Sequence, residues 1–204
     1  MYDLDKAYSK KFFAQRKSLS WRVPIVCDAI IDVLKPKSVI DVGCGNGDLL
    51  RGFHDKGIKI LGIEGTKNYS ANTMLPLIEV DEYVSLYPIC IHDFRKKGFV
   101  CGKFDLAICF EVAEHIELEY TDIFLDNLCS LSDRILFSAA GPGQGGIHHH
   151  NCQHKVYWIN KINAKGYICN FKIITKLQER WYPWQNKKGI KAYYQNLMYF
   201  ERKV

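Results

Sequence analysis

The sequence predicts an α/β fold in three layers, with helices on both faces of an open, mostly parallel, seven-stranded sheet that ends in a β-hairpin. Three observations carry this expectation. Segments of strand period alternate with segments of helical period through most of the chain. A glycine-rich turn follows the first strand and opens a helix. Near the end, two β-rich segments succeed one another without a helix between them.

Taken in order, residues 20–34 (SWRVPIVCDAIIDVL) place apolar groups at helical spacing and stop before Lys35-Pro36, because a proline disfavours helix in the residue before it. SVIDVG (38–43) is a short β-branched run ending in glycine, and a helix from about Asp48 to Lys56 closes at Gly57. IKILGIEG (58–65) is a second strand, 68–79 a helix interrupted near Pro76, and YVSLYPI (83–89) a third strand. FDLAICF (104–110) and RILFSAA (134–140) are the fourth and fifth strands, flanking a helix over 120–131; KVYWINKINAKG (155–166) is a helix with a glycine stop. FKIITKLQERW (171–181) and AYYQNLMYFERK (192–203) read as the two strands of the terminal hairpin. Nothing marks a linker or repeat, so residues 1–204 form one domain, with 1–36 a helical N-terminal segment and 37–204 the core.

A chain that is 48% hydrophobic and 25% charged has globular composition, which excludes a disordered or fibrous class. No apolar run reaches the roughly 18 residues of a membrane span, and the opening MYDLDKAYSKKFF lacks the features of a secretory signal, so a cytoplasmic protein is expected. The cysteines (Cys27, Cys44, Cys90, Cys101, Cys109, Cys129, Cys152, Cys169) show no CxxC pair and are expected as reduced thiols. A net charge of +6 suits phosphate-bearing partners without choosing among them. The clusters Lys10-Lys11 with Arg16-Lys17, Arg95-Lys96-Lys97 and Lys187-Lys188 read as solvated surface.

In Val39-Ile40-Asp41-Val42-Gly43-Cys44-Gly45-Asn46-Gly47-Asp48 the glycines fall as GxGxG between a strand and a helix, where missing side chains let the backbone turn tightly against a ligand. The spacing departs from the GxGxxG dinucleotide fingerprint, and Asp41, ahead of the glycines, would repel a pyrophosphate. A cofactor with a cationic group suits it.

This turn resembles the first motif of class I S-adenosylmethionine (SAM)-dependent methyltransferases, and the resemblance runs from about Val39 to the terminal hairpin. It implies the Rossmann-like methyltransferase fold and SAM as cofactor. On that resemblance Asp41, Gly43, Cys44, Gly45, Asn46 and Gly47 form the cofactor turn, and Glu64, followed by Gly65, holds the ribose hydroxyls. A carboxylate can accept two hydrogen bonds from a vicinal diol. Asp93 takes the adenine amino group, with Phe94 and His92 as stacking neighbours. Phe104-Asp105-Leu106-Ala107-Ile108-Cys109-Phe110-Glu111-Val112-Ala113-Glu114-His115-Ile116 is similar to the family's FDxxxxxxVxEHI segment, placing Phe110 and Glu111 beside the methionine moiety.

SAM carries an activated methyl group, so the remaining task is to position a nucleophile and exclude water. A hydroxyl acceptor calls for a base, and histidine is suited to it. The candidates are His115 and, in the loop after the fifth strand (139–154, with GPGQGGIHHHNCQH at 141–154), His148, His149 and His150. No metal site is assigned; the histidine triplet with Glu111 or Glu114 is the weaker, metal-binding alternative. Trp181-Tyr182-Pro183-Trp184 reads as a stacking or packing loop, and Tyr2, Tyr8, Phe12, Phe13 and Trp21 as either a lid or an ordinary amphipathic helix. The expected function is O-methylation of a small-molecule or glycan hydroxyl. A nucleic-acid (ribose or cap) methyltransferase is less favoured, since no DPPY-type tetrad follows the fourth strand; a non-catalytic SAM-binding subunit and a Rossmann oxidoreductase, the latter disfavoured by GxGxG and the hairpin ending, are the other readings.

Overall fold

The computed structural model describes residues 2–76, 78–81, 84–86 and 88–203. The N-terminal segment folds as α1 (Leu4–Ala7), α2 (Lys10–Arg16), a 3-10 stretch (Lys17–Arg22) and α3 (Val23–Leu34). Side-chain caps start the first two: Asp3 accepts from the Asp5 and Lys6 N–H groups, and Ser9 from that of Phe12. The core follows as β1 (Ser38–Val42), α4 (Asp48–His54), β2 (Lys59–Glu64), β3 (Ile78–Asp81), β4 (Val84–Leu86), β5 (Ile89–Ile91) and β6 (Leu106–Phe110). It continues with α5 (Thr121–Leu131), β7 (Arg134–Ser138), α6 (Lys155–Ala164), β8 (Tyr167–Cys169), α7 (Phe171–Trp181), α8 (Lys191–Asn196) and β9 (Met198–Arg202).

Seven strands make one sheet in the order β5-β2-β1-β6-β7-β9-β8, while β3 and β4 pair apart from it. The pairs from β5 to β7 are parallel, and β9 runs antiparallel to both its neighbours. Strand order reverses between β1 and β6, which opens a crevice at their carboxyl ends. The pleat sorts the core onto two faces. Val39, Leu106, Ile108 and Leu136 pack under α3, α4 and α7, whereas Ile40, Ala107, Cys109, Ile135 and Phe137 pack under α5 and α6. The three-layer α/β/α fold is therefore the one the alternation predicts.

The terminal segments differ from expectation. FKIITKLQERW is helix α7, not a strand: Ile174, Leu177 and Trp181 repeat at helical spacing and are buried against α3, and the Asn170 side chain caps the start by accepting from the Ile173 N–H. Its β-branched Ile173-Ile174-Thr175 run mimics a strand, but burial follows the 3.6-residue period. The antiparallel pair that ends the sheet is instead β8 with β9, joined across α7 and α8, so only 198–202 of the second expected strand is strand. Trp181 is fully buried rather than in a loop, with its ring edge-on to Phe110. In the second βα unit, after β2, a 3-10 stretch (Lys67–Asn72) replaces the helix expected over 68–79. Strand pairing with the main sheet begins at Ile89; Leu77, Glu82, Tyr83 and Tyr87 lie outside the described residues.

All eight cysteines are free thiols. Among the described residues no helix is long and apolar enough to cross a membrane.

Candidate active site

The crevice at the reversal point is a cavity of about 780 Å³ including its open mouth. Its floor is the turn after β1, where Gly43 and Gly45 take φ of 72° and 60°, in the left-handed region that favours glycine. A Cβ at Gly43 would lie 2.4 Å from Val112 Cγ2, so only glycine lets this turn press against the loop after β6. At the end of β2, Glu64 is buried with both oxygens engaged. Oε2 accepts from the Gly45 N–H (2.9 Å), and Oε1 from those of Gly65 (2.9 Å) and Thr66 (3.4 Å). Burial outweighs these donors and pushes the Glu64 carboxyl up to about 7. Asp41 lies deeper and is not on the cavity wall; burial, with the charges of Asp48 and Glu64, raises its pKa well above the ordinary carboxylate range.

At the edge beyond β5, His92, Asp93, Phe94 and Arg95 line the cavity, with the His92 and Phe94 rings 5.6 Å apart. Arg95 is buried, not surface. It grips Asp93 (Nη2 to Oδ2, 2.9 Å) and Glu117 (Nη1 to Oε1, 3.1 Å), donates to the Tyr2 carbonyl (3.0 Å), and stacks its guanidinium over the Tyr2 ring. Burial opposes ionisation of Asp93, but the Arg95 bonds and charge win and hold its carboxyl below the usual range. This clasp draws the N-terminal segment over the cavity, where Tyr2, Tyr8, Phe12, Phe13 and Arg16 form one wall. Trp21 is not part of it.

The opposite wall is the end of β6: Phe110, Glu111, Val112, His115 and Ile116. Glu111 sits at φ 56°, a strained conformation for a non-glycine residue that functional sites recurrently hold. Asn196, at the end of α8, donates to the Glu111 carboxylate (3.2 Å) and to Gln144 Oε1 (2.9 Å), tying β6 to the histidine loop. Burial raises the Glu111 carboxyl. The loop is latched to the turn after β6, since the His150 and Asn151 N–H groups both donate to the Glu114 carbonyl (2.8 and 2.9 Å). His115 donates from Nδ1 to the His148 carbonyl (3.1 Å), and burial, with the neighbouring His149, lowers its pKa to about 4.

Comparison with known proteins decides the family. A family model described as a methyltransferase domain matches residues 20–140, more than half of the chain. The chain belongs to the class I SAM-dependent methyltransferases. Over 83 residues, 41% of this chain and 35% of the relative, it is 31% identical to a ubiquinone biosynthesis O-methyltransferase of Dechloromonas aromatica (strain RCB). Over 109 residues, 53% and 46% of the two chains, it is 28% identical to a magnesium-protoporphyrin O-methyltransferase of Synechocystis sp. (strain ATCC 27184 / PCC 6803 / Kazusa). The matched stretches thus span between about a third and a half of these relatives. The solved Synechocystis PCC 6803 magnesium protoporphyrin IX methyltransferase with bound SAH superposes with a TM-score of 0.54 at 18% identity, over 81% of this chain and 83% of that one, which shows a shared fold.

Within this methyltransferase the expected site residues divide. Gly43, Gly45, Glu64, Gly65, Asp93, Phe94, Phe110, Glu111 and His115 line the cavity, whereas Asp41, Cys44, Asn46 and Gly47 lie behind its wall. His148, His149 and His150 are off the wall, and their rings differ in setting. Those of His148 and His150 are exposed and pack on Tyr2, while that of His149 faces His115 at 4.8 Å between centroids. Arg16, Arg95 and Asn196 were not singled out as site residues. For Arg16 a signal existed: it follows Phe12 by four residues, which sets the two on one face of α2.

Proposed function

We propose that this methyltransferase moves the methyl group of SAM to a hydroxyl oxygen of a small or carbohydrate-like molecule. The observation that carries the reading is one cavity with two unlike ends. A glycine turn and a buried acid lie at the β1/β2 end, and an acid and a histidine at the β6 end. The residues fit the cofactor. In this reading Glu64 takes the ribose hydroxyls, Asp93 with His92 and Phe94 the adenine edge, and Arg16, beside Gly45, the carboxylate of the methionine part; that all of them line one cavity supports it. An ionised carboxylate accepts about four hydrogen bonds, so three backbone donors leave Glu64 one free position. Two ribose hydroxyls therefore displace the long Thr66 contact. SAM supplies a sulfonium-bound methyl: the acceptor oxygen bonds to its carbon as the C–S bond breaks and the electron pair stays on sulfur.

The chain's own residues do the rest. The aromatic wall of the N-terminal segment excludes water, and the acceptor's proton leaves at the Glu111 end, where a carboxylate of raised pKa is a competent base. Relatives named as O-methyltransferases support oxygen as the acceptor atom.

Incubation with SAM bearing an isotopically labelled methyl, against panels of phenols, sugars, amines and short RNAs, tests this by mass spectrometry. The label is expected on a hydroxyl of a phenol or sugar, with Glu111→Gln lowering kcat about 100-fold. Label found only on amines or on RNA contradicts the reading.

A further inference from the structure

Behind the acceptor end of the cavity, Glu114, His115 and His149 bring one ligand atom each to within 4.8 Å of one another. The hydrogen bonding around them is one-sided. His115 Nδ1 lies 3.1 Å from the His148 carbonyl, and His149 Nδ1 lies 3.1 Å from the Gln144 carbonyl. A carbonyl only accepts, so both Nδ1 atoms carry the proton and each Nε2 of the neutral ring presents a lone pair. Cys152 Sγ, 3.5 Å from His149 Nδ1, is the more distant neighbour. Glu114 is buried, and its Oε2 has no hydrogen-bond partner among the described residues. His149 Nε2 stands 4.0 Å from Glu114 Oε1. Backbone N–H groups of Glu114 and Ala140 serve the carboxyl but leave Oε2 without a partner, and an orphaned buried polar atom beside two imidazole lone pairs is costly unless a cation answers it.

We infer that Glu114, His115 and His149 form a binding site for a divalent first-row transition-metal ion. Two imidazoles and a carboxylate are the donor set of manganese, iron, cobalt or zinc rather than of calcium. Backbone carbonyls holding the far ring nitrogens are the support that metal-bound histidines characteristically have. Bonds of about 2.0–2.2 Å require the ligand atoms to close by roughly 1 Å. The loop accommodates that, since His149 rides on a glycine-rich segment and its ring occupies the space a Cβ at Gly146 would take, 2.0 Å from Nε2.

His115 belongs both to this cluster and to the cavity wall, so the ion borders the acceptor end. Its role rests on the O-methylation reading: an acceptor hydroxyl bound at an open coordination position becomes more acidic and passes its proton to Glu111 before its oxygen takes the methyl. Ion binding itself needs no such reading.

The test is titration of the chelator-treated full chain with Mn²⁺ and with Co²⁺, followed by calorimetry and, for Co²⁺, by visible absorption and proton NMR. One ion per chain is expected, with two paramagnetically shifted, exchangeable Nδ1–H resonances. His149→Ala, Glu114→Gln and the milder Gly146→Ala should each weaken binding at least tenfold, while His148→Ala and His150→Ala leave it unchanged. SAH binding by the same samples reports an intact fold and separates failure here from failure of the methyltransferase reading. The inference is overturned if neither ion binds at millimolar concentration. It is equally overturned if His149→Ala binds as tightly as wild type.

Discussion

Glu64 concentrates the residue-scale argument. It is the acid the sequence placed at the end of the second strand, and the fold puts it on the cavity wall with backbone donors on both oxygens. What the sequence could not show is its burial, which raises its pKa to about 7. The ionised form accepts from a ribose diol on both oxygens and more strongly than the neutral acid, so affinity rises with pH until the carboxyl is charged and then levels off. The ionised fraction falls as pH drops through about 7, and the apparent Kd for SAH should be up to about tenfold weaker at pH 6 than at pH 8. Calorimetry at both values checks this, with Glu64→Gln binding weakly and without the pH dependence; a flat wild-type profile contradicts it. Arg95 shows why other residues stayed hidden. A basic triplet is ordinarily surface; Asp93 is a near neighbour in sequence, but nothing local says that Arg95 turns inward to clasp Glu117 and the Tyr2 carbonyl, 22 and 93 residues away.

Elements were legible where their period was long and their boundaries marked. β1, the glycine turn and α4 stand where SVIDVG and the following helix predict, as do α5, β7 and α6. One error has a plain cause: a short β-branched run does not separate strand from helix until tertiary burial selects a face. Helix α7 is the clear case, its Ile174, Leu177 and Trp181 buried on one side. If that face holds α7 to α3, Leu177→Ala should cost about 2–5 kcal/mol in denaturant unfolding. SAH affinity should be unchanged, because Leu177 does not line the cavity. A cost below 1 kcal/mol contradicts that packing. The histidine loop was legible as a functional segment from its place after a strand end, but not residue by residue. Its latch onto the Glu114 carbonyl and its link through Asn196 decide that His149, and not its neighbours, meets His115.

At the scale of the whole molecule, the reversal of strand order between β1 and β6 creates the crevice, and the chain supplies it with unlike walls from segments distant in sequence. The N-terminal aromatics close one side, the glycine turn and Glu64 the floor, and the β6 end the side where an acceptor meets the methyl. The central claim is that this crevice binds SAM, and calorimetric titration of the intact chain with SAM and SAH tests it most directly. One site per chain of micromolar affinity is expected for both ligands, weakened at least tenfold by Gly43→Ala, whose added methyl would collide with Val112. A folded wild-type chain that binds neither ligand would contradict it.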